Sequence, residues 1–256
     1  MFLEDCIIAD NIQISDGKYL LRIKSEESFK YAKEGQFFMI KSNTFLRRPI
    51  SLHYIEDNIL EFYYQVKGEG TKYLSKLKKD DIVNIQGPLG NGFNSEVKNK
   101  KILLAAGGMG IAPFKLLMEK LIDNNSVTLI MGAADESSVK IMNRFDTKNI
   151  RLYIATDDGS VGDKCSTLDK VKELLKRETF DIIYTCGPLI MMKALIELAN
   201  KKSILCYASF EERMACGVNA CLGCNIELKD IHSENGYILK KVCYDGPVFN
   251  AELLNI

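Results

Sequence analysis

The rhythm of apolar and polar positions changes once along this chain, near residue 100. Before that point IQISDGKYLLRIKS (12–25), QFFMIKS (36–42), ISLHYIEDNILEFYYQV (50–66) and DIVNIQGPLG (81–90) are β-rich and partly alternating, with turn residues between them. Such patterns predict half-buried strands, and SDGK (15–18) and DNIL (57–60) predict hairpin connections. TKYLSKL (71–77) is the one helical candidate there, so a small antiparallel barrel over residues 1–98 is expected.

Beyond residue 100 the strands become apolar throughout: KILLAAG (101–107), SVTLIMGA (126–133), IRLYIAT (150–156), FDIIYTCG (180–187) and SILCYAS (203–209). Helical spacing fills the gaps in PFKLLMEKLIDNN (113–125), ESSVKIMNRF (136–145), STLDKVKELLKR (166–177) and LIMMKALIELANKK (189–202). Apolar strands joined by helices imply a parallel sheet covered on both faces, here residues 99–210. Residues 211–256 are Gly- and Cys-rich with few helix signals and read as a small third module. The fold class is therefore multidomain, β plus α/β.

Charge and composition narrow the function. Lys plus Arg and Asp plus Glu both total 34, which argues against nucleic acid as a partner. The basic runs KLKK (76–79) and KNKK (98–101) fall between elements and read as solvated turns. The opening MFLEDCIIADN has neither a basic n-region nor an apolar h-region. The longest apolar tract, ILLAAGGMGIAPFKLLM (102–118), is broken by Gly, Pro and Lys115 short of the ~20 residues of a membrane span. A cytoplasmic location, with no membrane partner, is the expectation. Thiols stay reduced there, so clustered cysteines point to metal or redox chemistry before disulfides.

Four motifs suggest anion binding. GGMGIAP (107–113) follows the first parallel strand, where glycines let backbone N–H groups approach an anion. TCGP (185–188) ends the fourth parallel strand, on the same sheet edge, and the two together predict a nucleotide pocket. RRPIS (47–51) and GEGTKYLS (68–75) supply arginine, glycines and a helix start within the barrel. His53 and His232 have no partner pattern and read as structural or exposed; no arrangement calls for hydrolytic chemistry.

The cysteines carry the sharpest signal. Cys216, Cys221, Cys224 and Cys243 are spaced C-x4-C-x2-C-x18-C, the first three matching a plant-type 2Fe–2S pattern with a distant fourth ligand. Gly217, Ala220 and Gly223 allow a tight loop with N–H groups aimed at sulfur. Zinc, which more often uses paired C-x2-C knuckles, and unligated thiols are less consistent with this spacing. Cys6, Cys165 and Cys206 read as small hydrophobes, and Cys186 belongs to the TCGP loop.

Barrel, parallel sheet and cysteine module in this order resemble the ferredoxin–NADP reductase superfamily. Within it, RRPIS, GEGTKYLS, GGMGIAP, CGPLIMM and ERMACGVNACLGC…KVCYDGPVF are most similar to the electron-transfer subunits of B-type, NAD-dependent dihydroorotate dehydrogenases. The resemblance implies an oxidoreductase subunit whose barrel holds FAD. Arg48, Pro49, Ile50 and Ser51 would meet the flavin and its diphosphate, with Ile50 where the superfamily often has Tyr. Gln65, Val66 and Lys67 would line the flavin, and Gly70 and Thr71 would receive the diphosphate. Gly107, Gly108, Gly110, Cys186, Gly187 and Pro188 would surround NAD(H). Asp157 and Asp158, where NADP-using members carry Ser and Arg, would favour NADH. The implied partner is an FMN-containing catalytic subunit oxidising dihydroorotate in de novo pyrimidine biosynthesis, in a heterotetramer of two of each.

KDIHSENGY (229–237) reads as an insertion forming an extended hairpin. The small subunit of NADH-dependent ferredoxin–NADP oxidoreductases shares the architecture, but resembles a version with Asp at the first cluster position, where this chain has Cys216. A stand-alone NADH:acceptor reductase would share the same three modules, and a zinc-bearing scaffold would use the same cysteines without electron transfer.

Overall fold

Alternation in the first hundred residues becomes one antiparallel sheet. A computed structural model describes residues 1–255. Its first strands are β1 (Phe2–Ser15), β2 (Lys18–Lys24), β3 (Phe37–Ile40), β4 (Arg48–Ser51), β5 (Tyr54–Glu56), β6 (Ile59–Gln65) and β7 (Ile82–Leu89), with helix α1 (Glu69–Leu74) before β7. They pair in the order β4-β3-β7-β1-β2-β6-β5, and β4 touches β6, so the sheet curls into a half-barrel. Both expected hairpins form. Ser15 pairs with Lys18 around Gly17 at φ +64°, and Glu56 pairs with Ile59 beside Asp57 at φ +54°.

Strand β1 starts ten residues earlier than the local pattern suggested. Its first half pairs with β7, a partner far along the chain that no local window reveals. Inward side chains such as Ile8, Leu21, Ile23, Phe38, Leu60 and Phe62 make the barrel core. Phe38 and Phe62 meet edge-on at 5.3 Å, a contact worth ~0.5–1.5 kcal/mol beyond its buried area.

The second section is the expected parallel sheet: β8 (Lys101–Gly107), β9 (Ser126–Ala133), β10 (Arg151–Thr156), the short β11 (Asp163–Lys164), β12 (Ile182–Cys186) and β13 (Leu205–Ser209). Helices α2 (Phe114–Leu121), α3 (Glu136–Val139), α4 (Thr167–Arg177) and α5 (Leu189–Lys201) connect them. Helix α4 starts where Ser166 Oγ accepts the Asp169 N–H at 3.1 Å and donates to its carboxylate at 2.7 Å. The helix expected over 136–145 is shorter: α3 is a single turn, followed by a 3-10 turn at Lys140–Arg144. Val139, Ile141, Met142 and Phe145 are all buried, more than one α-helical stripe can turn inward.

The last section adds the hairpin β14 (Asn225–Lys229) and β15 (Tyr237–Lys241), where the polar insertion forms the turn, and then β16 (Val248–Asn250). β16 pairs antiparallel with β13, so the cysteine-rich section closes the edge of the parallel sheet. The full order is β11-β10-β9-β8-β12-β13-β16. The chain leaves β8 in one direction and returns to β12 on the other side, which makes a switch point between them. Ligands of such sheets bind there, outside the strands' carboxyl ends. Both GGMGIAP and TCGP stand at that point. No helix among the described residues is long and apolar enough to cross a membrane.

Candidate functional site

A cavity of about 210 Å³ opens where the half-barrel faces the glycine-rich loop and the start of the cysteine-rich section. Pro49, Ile50 and Ser51 on β4 line it, with Gln65 at the end of β6, then Lys67 and Thr71. Thr71 Oγ1 accepts the N–H of Lys67 at 2.9 Å and of Gly68 at 3.2 Å, fixing the entry into α1. Behind this rim Arg48 donates to Thr44 Oγ1 at 2.6 Å, while its Nε is buried without a partner. Gly70 lies so close that a Cβ there would sit 2.2 Å from that Nε. A bare guanidinium nitrogen against side-chain-free backbone is suited to a phosphate oxygen. Val66 packs onto the barrel core instead of lining the cavity. Apolar walls, a few amide and hydroxyl groups and two cations fit a flavin ring with a diphosphate tail.

A second cavity, of about 450 Å³, lies at the switch point. Gly107, Gly108, Asp157 and Pro188 line it, together with Gly132 and Thr167. Gly110 sits behind, under the Cys186 carbonyl, where a Cβ would come within 2.0 Å of that oxygen. The Cys186 thiol is buried; burial and the nearby Glu211 charge push it up to about 12. Gly187 follows it and backs onto Gly107 and Met191. The two aspartates part company. Asp157 faces the cavity, whereas the Asp158 carboxylate accepts Ser160 Oγ at 2.7 Å and Ser160 N–H at 2.9 Å, bonds that hold its pKa below the usual range.

The four cysteines of the C-x4-C-x2-C-x18-C pattern come together as two pairs. Cys216 meets Cys221, Cys243 meets Cys224, and the pairs are close enough to interact. Backbone N–H groups point at sulfur: Val218 and Ala220 donate to Cys216 at 3.4 and 3.3 Å, and Cys243 donates to Cys224 at 3.4 Å. Partial burial opposes ionisation of Cys216, but the N–H donors of Val218, Cys221 and Ala220 outweigh it and lower the thiol to about 7. Gly217, at φ +70°, lets the loop press onto β3, where a Cβ would meet Met39 Cγ at 2.7 Å. Two thiol pairs suit two metals, as a 2Fe–2S cluster requires.

Sequence patterns left out part of the barrel cleft. Tyr63, Tyr64 and Met109 line it, as do Phe210, Glu211, Glu212 and Met214. The signal available was position alone: residues 210–214 join the last parallel strand to the first cluster cysteine.

Comparison with known proteins agrees with this arrangement. The family model for the iron-sulfur cluster binding domain of dihydroorotate dehydrogenase B matches residues 211–255, and that for the oxidoreductase NAD-binding domain matches 104–197. The electron transfer subunit of dihydroorotate dehydrogenase B (NAD(+)) from Caldanaerobacter subterraneus subsp. tengcongensis is 40% identical over 220 residues, 85% of each chain. Its counterpart from Clostridium acetobutylicum is 36% identical over 251 residues, 96% of this chain and 95% of that one. A chain in the solved structure of NADH-dependent reduced ferredoxin-NADP oxidoreductase is 27% identical, with a TM-score of 0.86 over 98% of this chain and 89% of its own.

Proposed function

Because the chain belongs to the family of electron transfer subunits of dihydroorotate dehydrogenase B, we propose that it passes electrons to NAD+ from an FMN-containing catalytic subunit that oxidises dihydroorotate, in de novo pyrimidine biosynthesis. The observation that carries this reading is the adjacency of three sites. The barrel cleft is walled by Met109 and Ala112 of the glycine-rich loop on one side and by Phe210 to Met214, which lead into the cysteine loop, on the other. Residues 1–98 then form the FAD-binding unit, 99–210 the NAD-binding unit and 211–256 the cluster unit.

Bound FAD supplies hydride exchange with a nicotinamide and single-electron exchange with a 2Fe–2S cluster. The protein's part is to hold these groups and keep them adjacent. Ser51, Gln65 and Lys67 face the flavin; Arg48, with Gly70 and Thr71, receives its diphosphate. Gly107, Gly108 and Pro188 hold the nicotinamide nucleotide, with Gly110, Cys186 and Gly187 shaping the wall behind. Asp157 meets the adenosine ribose. Cys216, Cys221, Cys224 and Cys243 ligate the cluster, and Cys221, the exposed one, marks the side that turns to the partner. The complex is a cytoplasmic heterotetramer, in keeping with thiols that must stay reduced until they bind iron.

The test uses the full chain loaded with FAD and cluster. It should oxidise NADH with an artificial dye as acceptor, and oxidise dihydroorotate only after the catalytic subunit is added. Robust dihydroorotate turnover by the chain alone, or zinc in place of iron and sulfide, overturns the reading.

A further inference from the structure

The glycine-rich loop serves both clefts: Gly107 and Gly108 line the nucleotide cavity, and Met109 and Ala112 line the barrel cavity. A buried polar seam, used by neither cavity, ties this loop to the barrel. His53, between β4 and β5, is 0% exposed, and its Nδ1 lies 2.7 Å from the Ala112 carbonyl oxygen. A carbonyl only accepts, so Nδ1 carries the proton and donates it. The other ring nitrogen, Nε2, is buried without a partner. The His53 carbonyl in turn accepts the Leu116 N–H at 3.1 Å, so one residue grips both the end of the loop and the start of α2. Burial lowers the His53 pKa to about 3, with Lys115 and Arg144 acting in the same direction, and the ring is neutral.

Beside it stands Glu61 on β6, 1% exposed. Its Oε1 meets Arg22 Nε of the barrel at 2.8 Å and Arg144 Nη2 of the α/β section at 3.2 Å. Its Oε2 lies 3.9 Å from Lys115 Nζ and has no hydrogen-bond partner. That ammonium sits 3.4 Å over the ring of Tyr54 on β5. Cations from both sections thus converge on one dry carboxylate. A buried ion pair is weak evidence for stability, because desolvation offsets the attraction, but its geometry can specify how two surfaces meet.

We infer that His53 and Glu61 are positioning residues that set the approach of the nicotinamide to the flavin by fixing the glycine-rich loop against the barrel. The inference rests on the reading above that the two cavities hold FAD and NADH. The loop transmits the constraint because Gly110 is wedged beneath the Cys186 carbonyl, so a shift at Ala112 moves both cavity walls. Reacting atoms must approach to ~3–3.5 Å, and a misplacement of ~1 Å costs about a hundredfold in rate.

The experiment measures flavin bleaching by NADH in single turnovers of the FAD- and cluster-loaded chain. His53→Leu removes the donor; its limiting rate should fall ten- to a hundredfold while NADH affinity changes less than about threefold. His53→Asn, whose Nδ2 can reach the same carbonyl, should stay within about threefold of the parent, and Glu61→Gln should fall between. A His53→Leu limiting rate within about twofold of the parent, or a His53→Asn variant no faster than His53→Leu, overturns the inference. Should His53→Leu fail to fold, a Glu61→Gln rate within about twofold of the parent does the same. A parent whose flavin NADH does not bleach overturns the functional reading and this inference with it. A responsive parent with an equally fast His53→Leu overturns this inference alone.

Discussion

The parallel sheet and the cysteine loop treat the same side chain in opposite ways. In the sheet, burial pushes Cys186 and Cys206 up to about 12, and the thiols are neutral. In the loop, Cys216 is lowered to about 7 although burial still opposes its ionisation. Two things differ: Cys186 and Cys206 are deeply buried while Cys216 is only partly so, and the backbone around them is arranged differently. Strands consume their N–H groups in the ladder, as Cys186 and Cys206 sit in paired registers, while the loop leaves the N–H groups of Val218 and Ala220 free to donate to sulfur. Thiolates that ligate iron need such donors. His53 in the domain seam lies between strands, yet burial keeps it neutral as it does the sheet cysteines. An ionised thiol is therefore expected where burial is shallow and several N–H groups face one sulfur, as at Cys216, and a neutral group where burial dominates, as at Cys186, Cys206, His53 and also Cys243, which burial raises to about 11.

The largest effect should come from breaking the loop's side of this contrast. Cys221→Ser removes one thiolate, and iron and acid-labile sulfide should fall from about two of each per chain to a small fraction of that. FAD content should stay near the parent's, because most residues lining the cleft proposed to hold it, Pro49, Ile50, Ser51, Gln65, Lys67 and Thr71 among them, lie on the barrel. Loss of FAD in parallel with iron would mean that cluster and flavin sites fold as one unit.

The seam offers a pH test of the neutral side. The unfolded chain protonates His53 below about 6.5, whereas the folded chain resists until about 3. Its contribution to stability is thus present in full above about 6.5 and declines as pH falls, by about 1.4 kcal/mol per pH unit, down toward 3. Denaturant unfolding of the parent and of His53→Asn, followed over that window, should show the parent losing stability faster by roughly that slope. Parallel curves would show that the ring is protonated in the fold.

A smaller effect is expected where charge is left facing water. Asp157 lines the cavity proposed for the nucleotide, where a carboxylate would accept ribose hydroxyls and repel a 2′-phosphate. Asp157→Ser should narrow the NADH preference over NADPH, measured as kcat/KM, by up to roughly a hundredfold. Asp158→Ser should change it much less, since that carboxylate caps its own turn at Ser160. Equal effects of the two substitutions would show that the turn as a whole, and not the facing carboxylate, selects the nucleotide.

Much of the molecule was determined by local pattern. Hairpins at Gly17 and Asp57, parallel strands from Lys101 to Ser209 and the turn of the 229–237 insertion depend on turn chemistry and apolar runs a few residues long, which a window of sequence contains. The cysteine spacing likewise points to its chemistry, because a 2Fe–2S pattern takes three thiols from one tight loop and a fourth from farther along the chain. What only the tertiary structure decided are relations between distant segments. These include the pairing of β1 with β7, the addition of β16 to the parallel sheet, and the entry of Phe210 to Met214 into the barrel cleft. The same holds for the roles of neighbours: Asp157 and Asp158 are adjacent and chemically identical, yet one faces the cavity and the other binds its own turn. His53 and Glu61 carried no motif at all. Their partners, Ala112, Lys115 and Arg144, lie on another section of the chain, and only packing the two sections together buries them and makes their hydrogen bonds and charges matter.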